Sequence, residues 1–86
     1  MAAISANGAH ELARWTVERV STGGYEDRWI STLVLTSDGR ILWKTGDSGY
    51  SVQGRIKDAK TRTAAEMVAI AEKYATKRGY SRAATR

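Results

Sequence analysis

Between Thr36 and Arg40 the chain reads Thr-Ser-Asp-Gly-Arg, and this short stretch constrains the fold more than any other. A three-residue hairpin loop puts a type I turn on Ser37 and Asp38. It then needs a left-handed residue, which Gly39 supplies without a Cβ clash. That loop pairs Thr36 with Arg40, and therefore Leu35 with Ile41 and Leu33 with Trp43. Strand side chains alternate between faces. Trp29, Leu33, Leu35, Ile41 and Trp43 thus gather on one side, and Ile30, Thr32, Val34, Arg40, Leu42 and Lys44 on the other. The first set is apolar and is expected to be core. A two-residue loop on Asp38-Gly39 would slip the register by one and mix the two sets. The pattern selects the longer loop, joining a strand over Arg28–Thr36 to one over Arg40–Thr45.

A further strand is expected from Glu11 to Val20, where Trp15, Thr16, Val17 and Val20 favour extended backbone. Ser21-Thr22-Gly23-Gly24 ends it. Gly46-Asp47-Ser48-Gly49 forms a second loop before a short strand at Tyr50–Val52. Thr63-Ala64-Ala65-Glu66 is a capping box, although a start near Asp58 is also compatible with the pattern. Met67, Ile70, Ala71 and Tyr74 then recur at helical spacing. Lys77 and Arg78 suit the negative helix end, and Gly79 stops it. The expected fold is α+β: a three- or four-stranded antiparallel sheet with one C-terminal helix packed on one face. One domain spans residues 11–79, between a flexible lead-in (1–10) and a basic tail (80–86).

Eighty-six residues suffice for one small core, and the usual reinforcements are missing. There is no cysteine for a disulfide or thiolate site, and one histidine, His10, cannot build a zinc site. Self-association remains an open way to add buried surface. No stretch has the length of apolar residues that a membrane span needs, and the first residues lack the pattern of a secretion signal. The expected location is the cytoplasm.

Gly46-Asp47-Ser48-Gly49 copies the tetrapeptide around the nucleophile of trypsin-like proteases, and His10, Asp38 and Ser48 fall in that family's order. A triad needs a scaffold that holds base, acid and nucleophile in contact beside an oxyanion hole. This chain is too short for the two barrels those proteases use. Small polar residues between strands are ordinary turn chemistry. Asp38 and Asp47 lie in expected turns, Glu66 caps a helix, and no glycine-rich phosphate loop is present. The expectation is no enzyme, no cofactor and no metal.

Charge carries more information. Residues 1–54 hold five Lys/Arg and six Asp/Glu, a net of −1. Residues 55–86 hold nine and three, a net of +6. Such asymmetry fits a polyanionic partner. Arg55, Lys57, Lys60 and Arg62 precede the N-terminus of the helix, where backbone N–H groups favour anions. Lys77, Arg78, Arg82 and Arg86 would add phosphate contacts. Arg40 and Lys44 on the second sheet face would extend the surface toward a DNA groove. On the same face, Ile30, Val34 and Leu42 equally fit a protein contact. The tryptophans could stack on unpaired bases, but Trp29 and Trp43 are assigned to the core.

Arg28-Trp29 to Trp43, followed by Thr63-Ala64-Ala65-Glu66, resembles the DNA-binding domains of plant ethylene-response factors. The order of three strands and a helix is also similar to the arm-binding domains of tyrosine recombinases. Ile4-Ser5-Ala6-Asn7-Gly8, Leu35 to Leu42 and Gly49 to Lys57 resemble small uncharacterised actinobacteriophage (mycobacteriophage-like) proteins. That resemblance implies a phage accessory protein acting in a bacterial host cytoplasm on nucleic acid, DNA or RNA, or on a host protein. The leading expectation is non-catalytic nucleic-acid binding. The alternative is a protein–protein module, either a homodimer or a modulator of a host protein.

Overall fold

The Thr36–Arg40 turn forms as its residues dictate. Gly39 takes φ 88°, its N–H donates to the Thr36 carbonyl at 3.0 Å, and Leu35 pairs with Ile41 and Leu33 with Trp43. Thr36 is fully buried and ties the loop together. Its hydroxyl donates to the Asp38 carboxylate and accepts the Arg40 N–H at 3.1 Å. The Arg40 guanidinium closes on Asp38 at 3.0 Å. Together these hold the Asp38 carboxyl below the usual carboxylate range, the Thr36 hydrogen bond first and Arg40 after it.

The computed structural model describes residues 10–21, 27–46 and 48–83. The elements are β1 (Glu11–Ser21), β2 (Asp27–Thr36), β3 (Arg40–Thr45), β4 (Ser51–Arg55), a 3-10 turn (Ala59–Thr61), α1 (Ala64–Lys77) and β5 (Ser81–Ala83). The strands form one antiparallel sheet in the order β4-β3-β2-β1-β5. The fold class is α+β, with five strands in place of three or four. No helix among the described residues is long and apolar enough to cross a membrane. The lead-in expected at residues 1–10 lies outside the described residues except for His10, as does Arg86.

The fifth strand corrects the reading of a tail at residues 80–83; residues 84–86 lie outside the described residues. Tyr80 is buried in the core, and Ser81–Ala83 pair with Thr16, Trp15 and Arg14 along the other edge of β1. β4 also runs three residues beyond the expected short strand, through a register shift at Ile41/Leu42. It carries Arg55 into the sheet, opposite Arg40.

α1 begins at the expected capping box. Thr63 accepts the Glu66 N–H at 3.1 Å, and the Glu66 carboxylate accepts the Thr63 N–H at 2.9 Å. Thr63→Ala is expected to lower stability by about 1 kcal/mol, read as a lower urea midpoint with unchanged slope. The helix lies chiefly across β1, β2 and β5. Met67, Ala71 and Ala75 face the sheet, and the two alanines let the backbones approach closely. The core beneath holds Ala13, Trp15, Leu33, Leu35, Ile41, Ile56 and Tyr80.

Two assignments of sheet residues are corrected. Trp29 shares the helix-bearing face, since it pairs with Arg19 in the register that joins Trp15 to Leu33. It is nevertheless 37% exposed, because it stands farther along the strand than α1 reaches. Conversely, Thr32, Val34 and Leu42, on the face read as open, are buried. Long side chains share that face with them. Arg14, the register partner of Val34, is paired with Glu11 at 2.7 Å. Lys44 lies over the Tyr50 ring at 5.1 Å, and burial raises the Tyr50 phenol above its ordinary range. Stems of such residues cover apolar surface while their charged heads stay wet.

Candidate nucleic-acid interface

The cations expected to act together are divided by the fold. Arg55, Lys57, Lys60 and Arg62 stand around the N-terminal end of α1, and Lys77, Arg78 and Arg82 around the other. Fourteen residues of helix separate these groups, a span of about 20 Å at the helical rise. Arg40 and Lys44 lie on the far face of the sheet, the first held by Asp38 and the second by the Tyr50 ring.

At the N-terminal end the geometry is poorly suited to anions. The capping box occupies the Thr63 and Glu66 N–H groups and sets the Glu66 carboxylate there. The Arg62 guanidinium is turned back to the Lys57 carbonyl at 2.8 Å. Arg55, Lys57 and Lys60 are exposed, Arg55 standing at the end of β4 opposite Arg40.

At the C-terminal end, cations and aromatic rings interleave. Arg78 stacks on Tyr74 with its guanidinium carbon 3.7 Å from the ring centre, and donates to the Tyr74 carbonyl at 3.1 Å. Arg19 lies 5.6 Å from the centre of Tyr80. The Tyr80 hydroxyl accepts the Trp43 indole N–H at 3.1 Å. Lys73 and Lys77, four residues apart on one flank of α1, are exposed. Among the described residues, Arg19, Lys73, Lys77 and Arg78 make no ion pair with an acid. Arg82 differs: it bridges to Glu72 at 3.3 Å and lies 5.5 Å from the Trp15 ring, so its charge is largely matched. An open depression of about 670 Å³ runs along the last turns of α1, lined by Glu72, Lys73, Tyr74, Thr76, Lys77 and Arg78.

Of the residues singled out from sequence, Lys77, Arg78 and Arg82 stand at or just beyond this end of α1. Arg19, Lys73, Tyr74, Tyr80 and the exposed ring of Trp29 were missed. The signal for Arg19 was present, since alternation from Trp15 through Val17 carries it onto the core-bearing face. An arginine on such a face must stand beyond the covering layer.

The turn resembling a protease nucleophile is structural at Ser48, whose hydroxyl donates to the Thr45 carbonyl at 2.6 Å. Asp47 lies outside the described residues. Among those described, no three His, Asp or Glu side chains gather closely enough to hold a metal ion.

These features define a small α+β protein with a basic, aromatic-lined surface at one end. No protein-family model matches the chain, and neither a curated protein nor a solved structure is significantly similar to it.

Proposed function

We propose that the chain binds nucleic acid without acting on it chemically, through the surface at the C-terminal end of α1. The observation that carries this reading is that Lys73, Lys77 and Arg78 on the last turns of α1, and Arg19 over the Tyr80 ring, are exposed and without acidic partners among the described residues. Two of the four lie on aromatic rings. Cations held this way are positioned yet keep their charge for a phosphate. The negative end of the helix dipole favours Lys77 and Arg78 where they stand. Given the resemblance to small phage proteins, the binding would take place in a bacterial cytoplasm.

Salt dependence tests this. Each phosphate contact contributes roughly 0.7–0.9 to the slope of log affinity against log salt. Lys73→Ala/Lys77→Ala is therefore expected to weaken binding about tenfold at low salt and to flatten the slope by about 1.5. Lys57→Ala/Lys60→Ala, at the other end of α1, should leave both nearly unchanged. Equal losses from the two pairs would remove the assignment to this surface. A wild-type chain with no affinity for DNA or RNA at low salt would remove the reading altogether.

A second reading has its own observation. Val20 and Ile30 are 45% and 47% exposed and adjoin on the sheet face opposite α1, through the pairings Glu18–Ile30 and Val20–Arg28. Such a pair favours a protein contact, with a second copy or a host protein, and is what would remain if nucleic acid does not bind.

A further inference from the structure

Trp29 is a large apolar side chain placed where packing gains least from it. It occupies the helix-bearing face, its register partner there is the cation Arg19, and more than a third of it is in contact with solvent. Two residues back on the same face lies Ser31, small and buried. Ser31 is flanked in the register by Val17 and Thr45. Beyond it come Trp43 and Tyr80, joined by their hydrogen bond, with Arg19 reaching over Tyr80. The run Trp29–Arg19–Tyr80–Trp43 thus sets one open ring beside a cation, backed by the buried ring of Tyr80 and the half-buried ring of Trp43.

We infer that the nucleic acid taken by this surface is single-stranded, with Trp29 as the platform on which an unpaired base stacks. The inference rests on the proposed nucleic-acid reading and narrows its substrate class. The chemistry selects for it. A duplex keeps its base faces inside the stack and presents phosphates and groove edges, so it would leave Trp29 without a partner. An unpaired base has a free face, and base–aromatic stacking with a cation alongside is the recurring device of proteins that hold single strands. Lys77 and Arg78 end the helix just before Tyr80, on which Arg19 lies, and with Lys73 would take the phosphates of the same strand.

The experiment uses the full chain and two fluorescently labelled probes of equal phosphate number, a short oligodeoxythymidine and a DNA hairpin duplex, read by anisotropy at low salt. The wild type is expected to bind the single strand about tenfold or more tightly than the duplex. Trp29→Ala is expected to weaken single-strand binding about 5- to 100-fold and to leave duplex binding unchanged. Trp29→Phe, which keeps a stacking face and guards against a folding defect, should retain most of the affinity. Equal affinity for the two probes, or a Trp29→Ala chain that binds the single strand as the wild type does, overturns the single-strand inference and leaves the broader reading intact. Failure to bind either probe overturns both.

Discussion

Trp15→Ala is expected to remove about 3–5 kcal/mol of folding stability, a large share of the roughly 5–10 kcal/mol a domain of this size has to lose. The ring is 1% exposed and is among the largest fully buried side chains. It sits on β1 between Leu33 of β2 and Arg82 of β5. It therefore belongs to the sheet, the edge strand and the helix at once. Its indole N–H donates to the Glu72 carboxylate of α1 at 2.8 Å. Truncation would open a cavity under the helix that Ala71 and Ala75, themselves fully buried, cannot fill. Trp15→Phe should cost less, about 1–2 kcal/mol, because Glu72 keeps Arg82 at 3.3 Å after the indole is gone. Urea titrations followed by far-ultraviolet circular dichroism would read both. A loss under about 1 kcal/mol for the alanine variant would contradict the packing described.

The hairpin was legible because its cause is local. One residue that needs positive φ fixes loop length, loop length fixes register, and register sorts the side chains of two strands between faces. The capping box was legible for the same reason. β5 was not, since Ser81-Arg82-Ala83 has no alternation or β-branched residue to mark it. It becomes a strand because β1 has a free edge and Tyr80, anchored in the core, delivers the chain there. Trp29 shows a different limit. Alternation tells which face a side chain takes but not how far along that face the covering helix extends. Val34 and Leu42 show the converse, since they are buried on a face for which the hairpin's own residues supply no covering layer.

The candidate site was less legible than the fold. Residues 55–62 look like one basic run, yet Arg55 ends a strand, Lys57 precedes a 3-10 turn, Lys60 lies within it, and Arg62 bonds backward to Lys57. Neighbours in sequence are dispersed by three changes of direction. The contacts that do form, Arg78 on Tyr74 and Arg19 on Tyr80, draw on β1, α1 and the residues that follow α1. No local pattern joins them. The pairing of β5 with β1, which begins at Ser81 beside Thr16, brings Arg19 to Tyr80.

The remaining large effect belongs to Gly39, where two causes can be separated. Gly39→Ala is expected to cost about 2–4 kcal/mol. Part is backbone strain, because a residue with a Cβ would have to hold φ 88°. Part is collision, because that Cβ would stand 2.5 Å from the Ala59 Cβ, an atom fixed to the backbone of the 3-10 turn. Retreat is blocked on both sides. The Gly39 carbonyl accepts the Ile56 N–H at 2.7 Å, and Ile56 is core. Ala59→Gly removes the colliding atom and should by itself cost only about 0.5–1 kcal/mol. In a double-mutant cycle the two substitutions should therefore couple favourably by about 1–2 kcal/mol, the double variant being more stable than the sum of the single losses implies. Strict additivity in urea melts would mean that strain at Gly39 alone sets the cost. The hairpin tip would then not be wedged against the turn that leads into α1.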